Sequence, residues 1–272
     1  MKKIFYFFLF LSFISCKNVT EDKKNVTQVE DKPQEVQAGA SQDPFTSAIE
    51  ETHKKTAFLE KEAIQFDIDI NFGGKDRLDA TITMLTNSTK IRIDKKDGSS
   101  LVYDGNEVYL APSSANSQGA RFDMFTWTYF FALPYKLNDK GTVWTENKEL
   151  QLGDSSYQTA KLSFEKNIGD APDDWYVIYA DKNTNRLYAA GYIVTFGNND
   201  VQKAEADPHA IEYKDYIEVE NIPFATQWIY YGWTVSEGFT DQIGDASLTN
   251  IKFVNPEKTF FEKPENASVI SL

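Results

Sequence analysis

Few residues of this chain have the types and spacing that catalysis requires. Ser155, in the run Gly153-Asp154-Ser155, could act as a nucleophile if a histidine base lay within reach, as in one class of hydrolases. The only histidines are His53 and His209, and Asp207-Pro208-His209 lacks the Asp-x-x-His spacing of that class. A hairpin turn before a strand at Tyr157 explains the run better. A hydrolase is therefore the least favoured alternative.

Metal-binding patterns are also incomplete. Asp181, Asn183 and Asn185 occupy the first three ligand positions of a calcium loop. The sixth position, which should be glycine, is Arg186, and the twelfth, which should be glutamate, is Tyr192. A turn between two strands fits this segment better, and two histidines with one cysteine cannot form a three-ligand zinc site without carboxylates. The sequence contains no HExxH, GxSxG, P-loop or dinucleotide motif, so we predict no metal, no cofactor and no catalytic residue.

The single cysteine of the chain, Cys16, stands where a lipid could be attached. Lys2 and Lys3 precede an apolar run, 4–14, which is shorter than the about 20 residues that span a bilayer. This order is typical of a secretory signal, and Phe13-Ile14-Ser15-Cys16 is similar to a bacterial lipobox, with phenylalanine where leucine is usual. We predict a signal peptide over 1–15 and a lipidated Cys16. The protein would then be anchored in a Gram-negative cell envelope, with the outer membrane as the favoured location.

Residues 17–43 contain no aromatic residue and only isolated valines, so they predict a flexible tether. Six acidic and six basic residues cancel between Met1 and Pro44, and the formal net charge of −13 therefore belongs to the rest of the chain. A domain with this charge should repel nucleic acid rather than bind it.

The remainder predicts a mainly β domain. Asp43-Pro44 is typical of a helix start, and the helix is expected to run to about Glu62. From Ala63 onward apolar and polar residues alternate with period two, which predicts an antiparallel meander of about 11 to 12 strands. The predicted strands are 63–72, 78–84, 91–93, 101–103, 108–110, 142–152, 157–165, 175–181, 186–196, 211–220, 225–235 and 246–254.

The chain has more apolar residues than one buried face of the sheet needs, and this excess is the main indication of its function. The segment 122–133 is apolar almost all round and predicts a short helix or coil inside the curve of the sheet, ended by Pro134. The later strands carry large apolar side chains on both faces, so their second face needs a cover: this segment, the N-terminal helix or a bound apolar ligand. The candidate ligand-lining residues are Phe125, Trp127, Tyr129, Phe130, Phe131, Trp175, Trp228 and Trp233.

Several blocks of the chain resemble a family of uncharacterised bacterial lipoproteins over about residues 45 to 264. The blocks are 103–105 with 108–109, 129–137, 169–179, 181–187 and 192–196. That family is similar in fold to the periplasmic lipoprotein carrier and its outer-membrane receptor, the LolA/LolB-like proteins. The resemblance implies a single domain over 44–272, a strongly curved, unclosed half-barrel with helices in its concavity, and a capacity to hold an acyl chain or another apolar molecule.

Two binding functions follow as expectations. The first is a non-catalytic, membrane-anchored lipoprotein that holds an apolar or lipid ligand in the concave sheet. The second is a surface module that binds a glycan or a protein through exposed tyrosines and tryptophans. Burial of Trp175, Trp228 and Trp233 would argue against the second function.

Overall fold

The computed structural model describes residues 43–197 and 200–271. The predicted signal peptide, Cys16 and almost all of the predicted tether lie outside the described residues. Among the helices of the described residues, none is both long enough and apolar enough to cross a bilayer.

In the described part of the chain, one antiparallel sheet of 13 strands forms the fold, and this sheet does not close. Its order is β13-β5-β4-β3-β2-β1-β12-β11-β10-β9-β8-β7-β6. The strands are β1 (Ala63–Phe72), β2 (Lys75–Leu85), β3 (Ile91–Lys95), β4 (Ser100–Tyr103), β5 (Val108–Ala111), β6 (Thr142–Leu152), β7 (Ser155–Phe164), β8 (Tyr176–Ala180), β9 (Leu187–Tyr192), β10 (His209–Val219), β11 (Ile222–Thr234), β12 (Gly238–Val254) and β13 (Ser268–Ile270).

The predicted fold class is confirmed, with differences at the ends of strands. The short strand β13, which pairs with β5, was missed because three residues are too few to show a period of two. Strand β12 begins at Gly238 instead of residue 246, since its first half is largely exposed and lacks the apolar alternation. Strand β9 ends at Tyr192, four residues earlier than expected.

The N-terminal helix is broken, contrary to the single helix expected. Asp43 caps α1 (Pro44–Thr52) by accepting a hydrogen bond from the Phe45 backbone amide at 2.7 Å. Lys54 has a φ of 60°, which ends α1, and α2 (Lys55–Leu59) starts in a new direction. The turn lets the buried His53 ring accept a hydrogen bond from the Leu187 amide at 3.1 Å, and a tertiary contact therefore overrides local helical periodicity.

The apolar segment is helical and lies against the sheet, as expected. We call residues 120–135 the insert: α3 (Ala120–Phe122), one π-helical turn (Asp123–Trp127), α4 (Thr128–Ala132) and a 3-10 turn that contains Pro134. Its fully buried Asp123 carboxylate contacts Arg77 at 2.7 Å and Lys95 at 2.9 Å, and accepts from the Trp127 indole at 3.0 Å. These contacts fix the start of the insert to β2 and β3.

Two hydrophobic clusters lie on opposite faces of β8, because successive side chains of a strand alternate. Tyr176 and Ile178 belong to a large inner cluster that includes the insert, whereas Val177 and Tyr179 belong to a small outer cluster. The members of the outer cluster are Leu152, Tyr157, Val177, Tyr179, Ala189, Ala210 and Trp233.

The protein itself covers the outer face of the later strands. The β11–β12 hairpin reaches the β6–β7 hairpin, where a Cβ on Gly238 would lie 3.0 Å from the Leu152 side chain. Trp233 lies over Gly191 of β9 so closely that a Cβ there would be 2.7 Å from the indole ring. The excess apolar surface of the later strands is therefore partly core.

Candidate functional site

A cleft of about 650 Å³ lies between the insert and the inner face of the sheet. It extends from β3 and β4, toward one edge of the sheet, to β7, β8 and β9, toward the other edge. Its apolar lining residues are Ile91, Tyr103, Phe125, Tyr129, Phe130, Phe164, Ile168, Ala171, Tyr176, Tyr192, Val194 and Phe196.

Aromatic rings from the insert and the sheet meet along this cleft. Tyr129 of α4 lies 5.4 Å from Tyr176 of β8 and 6.3 Å from Phe164 of β7, measured between ring centroids. Phe130 lies 4.9 Å from Tyr192 of β9. Phe125 and Tyr129 are four residues apart, which puts them on one side of the helical insert. The walls are therefore set by helical spacing on one side and strand alternation on the other.

One tyrosine hydroxyl adds an unsatisfied polar atom to these walls. The Tyr129 hydroxyl is buried without a hydrogen-bond partner. Burial, with smaller effects of the charges of Asp139 and Asp174, raises its pKa far above the usual value. Since buried polar groups are normally paired, this hydroxyl favours a ligand that carries hydrogen-bonding atoms as well as apolar surface.

Asp174, in the loop before β8, is a partly buried carboxyl group that lines the cleft. Its Oδ1 accepts hydrogen bonds from the Thr195 amide and from the Thr195 hydroxyl, both at 2.7 Å. Burial raises the pKa of Asp174 to about 6; the bonds from Thr195 oppose this rise, and the charges of Asp170 and Asp173 add to it. Asp174 therefore carries a charge that its surroundings do not favour.

Charged side chains surround the rest of the cleft, and most of them are paired. Asp170 accepts from the Arg121 guanidinium, whose Nε lies 2.7 Å away. Asp139 accepts from Lys136 at 3.0 Å. Lys140 is exposed and forms no ion pair with another described residue.

The structure places the predicted ligand-lining residues in three locations. Those that line the cleft are Phe125, Tyr129 and Phe130. Those that fill the inner cluster are Trp127, Phe131 and Trp228, each at most 5% exposed. Those that belong to or pack against the outer cluster, on the opposite face from the cleft, are Trp233 and Trp175. We expected all of these residues to face one ligand; strand alternation places Trp175 and Trp233 on the face of the sheet opposite to Trp228.

Sequence reasoning missed the sheet side of the cleft. Phe164, Tyr176 and Tyr192 were recognised only as members of apolar strands, and no pattern distinguished the cleft-facing side chains from those of the opposite face. Asp174 is one of 41 acidic residues in the chain, and it belongs to no sequence motif. Asp174 is distinguished from the other acidic residues by the side chains around it in the structure, and not by its position in the sequence.

The segments around Ser155 and Asp181, whose residue types could suggest catalysis or metal binding, form turns. Ser155 is exposed at the start of β7, and no hydrogen bond joins it to His53 or His209 in the described part of the chain. Asp181 Oδ1 accepts from the amides of Asn183 and Thr184 and from the Thr184 hydroxyl, as expected for a turn. Residues 43–197 and 200–271 contain no group of three histidine, cysteine or acidic residues that could hold a metal ion.

Comparison with solved structures gives the fold a name. A LolA superfamily protein of Nitrosomonas europaea is 10% identical, with a TM-score of 0.54; the match covers 80% of this chain and 97% of that one. The fold is LolA-like. At 10% identity the similarity supports the LolA-like fold and no function.

Two further solved structures are similar at lower TM-scores, and the two sequence comparisons find no match. A putative outer membrane lipoprotein-sorting protein domain of Vibrio parahaemolyticus is 9% identical with a TM-score of 0.49, covering 80% of this chain and 97% of that one. A DUF1329 family protein of Desulfovibrio piger is 14% identical with a TM-score of 0.45, covering 81% and 98%. No protein-family model matches the chain, and no curated protein does either.

Proposed function

We propose that this protein is a lipoprotein of the Gram-negative cell envelope that binds an apolar or lipid ligand in the cleft without catalysing a reaction. The cleft carries the proposal. Its volume of about 650 Å³ lies within the about 300 to 1,000 Å³ of small-molecule sites. Its walls combine aromatic and aliphatic side chains, which would hold apolar groups, with polar and charged side chains, which would orient the ligand.

The burial of tryptophans favours this function over the glycan- or protein-binding module. Trp228 is 1% exposed and Trp233 is 2% exposed, so neither offers a flat binding surface. Trp175 is half-buried, with the Lys161 ammonium 4.4 Å above its ring and its indole donating to Glu205. We therefore do not propose the module.

The anchor is the second part of the proposal. A lipidated Cys16 and a tether over 17–43 would hold the LolA-like domain at a membrane, with the outer membrane favoured. Replacement Cys16→Ala should move the protein from the membrane fraction to the soluble fraction of the envelope. Intact mass of the wild-type protein should show acyl groups on a chain that starts at Cys16. A mature wild-type protein with an unmodified cysteine would overturn the anchor but not the cleft.

Native mass spectrometry tests the ligand directly. Protein extracted without detergent should carry one bound apolar molecule. Val194→Trp should remove it, because Val194 lines the cleft and the larger side chain occupies the space. Val235→Trp is the matched control, since Val235 is 47% exposed outside the cleft. A mass without ligand in the wild type, together with no uptake of an apolar fluorescent probe, would contradict the proposal.

A further inference from the structure

Asp174 differs from the other carboxylates of the cleft. The acidic side chains that line it are Asp139, Asp170 and Asp174. Asp139 has Lys136 as its ionic partner and Asp170 has Arg121. Asp174 has no ionic partner among the described residues, and both of its hydrogen bonds from Thr195 fall on Oδ1. Its second oxygen therefore remains free to accept a hydrogen bond from a ligand.

The surroundings of Asp174 favour the binding of a positively charged group. Burial has the largest effect on the pKa of Asp174 and raises it. The hydrogen bonds from Thr195 lower this pKa, and the charges of the acidic neighbours Asp170 and Asp173 raise it further. Because a partly buried carboxylate without a counter-ion is unfavourable, a positive group brought in by the ligand would stabilise the charged form.

The rings beside Asp174 suit a cationic nitrogen. The charge of Asp174 contributes to raising the pKa values of both Tyr129 and Tyr176, after larger effects of burial, so both hydroxyls lie in its field. The centroids of Tyr129 and Tyr176 are 5.4 Å apart, and those of Tyr176 and Tyr192 are 6.2 Å apart. An ammonium group is attracted to aromatic rings within about 6 Å of their centroids.

The basic residues of the cleft do not offer an equivalent site for an anion. Arg121 and Lys136 are already paired with carboxylates. Lys140 is exposed, so solvent screens its charge. A ligand carboxylate that entered the aromatic region would also meet the negative charge of Asp174.

We infer that the ligand of the cleft is an amphiphile with a cationic amine, whose nitrogen binds the free oxygen of Asp174 beside the rings of Tyr129 and Tyr176. This inference rests on the proposed function and adds the chemical class of the ligand. The amine could belong to a lipid headgroup or to a free alkyl amine, and both present the same ammonium group to Asp174.

Competition between matched amphiphiles tests the inference. The mature chain with Cys16→Ser would be loaded with the fluorescent probe N-phenyl-1-naphthylamine, which dodecylamine, dodecanol or dodecanoate would then displace at neutral pH below their micellar concentrations. Dodecylamine should displace the probe at a concentration roughly tenfold lower than dodecanol, and dodecanoate should be the weakest.

Two asparagine variants distinguish an effect of the Asp174 site on binding from an effect of the net charge of the protein. Asp174→Asn keeps an oxygen for Thr195 and should abolish the preference for the amine over dodecanol. Asp173→Asn removes the same charge from the adjacent exposed residue and should retain the preference. Equal displacement by amine and alcohol in the wild type, tightest binding of dodecanoate, or equal effects of the two variants would overturn the inference alone. Failure of the probe and of dodecanol to bind would overturn both the inference and the proposed function.

Vesicles distinguish the two sources of the amine. Native mass spectrometry after incubation with vesicles of equal phosphatidylethanolamine and phosphatidylglycerol should show selective uptake of the ethanolamine lipid if the amine is a headgroup. Uptake of neither lipid, with the dodecylamine preference intact, supports a free amine. Selective uptake of the glycerol lipid would overturn the inference.

Discussion

The inner and outer faces of β8 to β10 both carry buried apolar side chains, but a different element covers each face. On the inner face, Tyr176 and Tyr192 are covered by a helical insert that leaves a cleft of about 650 Å³. On the outer face, Tyr179 is covered by the β11–β12 hairpin, whose Trp233 donates a hydrogen bond to its hydroxyl at 3.2 Å and lies against Gly191.

The difference comes from the shape of the covering element. A hairpin is part of the sheet, so its side chains can approach another strand closely. In this protein the indole ring of Trp233 lies directly against Gly191. A helix packs about 10 Å from a sheet and fills the gap only where its side chains are long enough. Hydrophobicity alone therefore does not identify a binding face, and the faces should respond differently to mutation.

The largest expected effect is on the outer face. Trp233→Ala should lower the free energy of unfolding by about 3 to 5 kcal/mol, because it removes a large buried side chain and leaves a cavity. Urea denaturation would measure this loss. Displacement of the apolar probe by dodecanol should stay unchanged, since Trp233 does not line the cleft.

Gly191→Ala supplies the control for this contact. Alone it should destabilise the protein by about 1 to 3 kcal/mol, because the new methyl group meets the indole of Trp233. In the Trp233→Ala background the same replacement should cost much less. Equal costs in both backgrounds, or loss of probe binding with Trp233→Ala, would contradict the separation of the two faces.

The second largest loss of stability is expected from a mutation in the insert, which covers the inner face. Asp123→Asn should lower the free energy of unfolding by about 3 kcal/mol, since it leaves Arg77 and Lys95 facing a neutral group where they are partly buried. Because Asp123 fixes the insert to the sheet, the affinity of the cleft for the probe should also fall. Urea denaturation and probe titration measure the two effects.

Asp79→Asn is the matched control for the insert. Asp79 pairs with Lys96 at 3.1 Å, but both side chains are largely exposed. Its removal should change stability by about 1 kcal/mol or less and leave probe binding as it is. If Asp123→Asn weakened folding but not probe binding, the insert would not be the element that shapes the cleft.

Acid should destabilise the inner face through His53. Burial, and to a smaller extent the charge of Arg186, lowers the pKa of His53 from 6.5 to about 3. The unfolded chain therefore binds a proton near pH 6.5 that the folded protein does not accept until about pH 3. This contribution to stability is complete above pH 6.5 and declines as the pH falls toward 3, by about 1.4 kcal/mol for each pH unit.

Urea denaturation at several pH values would measure this slope. His53→Gln should flatten it, because glutamine can still accept from the Leu187 amide but does not titrate. The pKa of His209 is also lowered, by burial against the opposing charge of Asp207, so His209→Gln serves as the comparison. A slope that is unchanged in His53→Gln would show that His53 is not the responsible group.

Particular residues show how far the sequence led. The alternation of Ile64, Phe66 and Ile68 predicted β1 correctly, because a half-buried strand must alternate. The apolar segment predicted the insert and, with it, the cleft residues Phe125, Tyr129 and Phe130. The break at His53 could not be predicted, since its cause is a contact with Leu187, 134 positions away.

Neighbouring residues are enough to establish that the chain forms a mainly β domain with more apolar surface than one core face needs, because an alternation with period two is a local pattern. The location of the surplus apolar surface depends on contacts between distant segments. Alternation assigns side chains to opposite faces but does not say which element covers each face. Contacts between distant segments placed Trp233 in a closed outer cluster, and Asp174 beside tyrosines in a cleft that remains open.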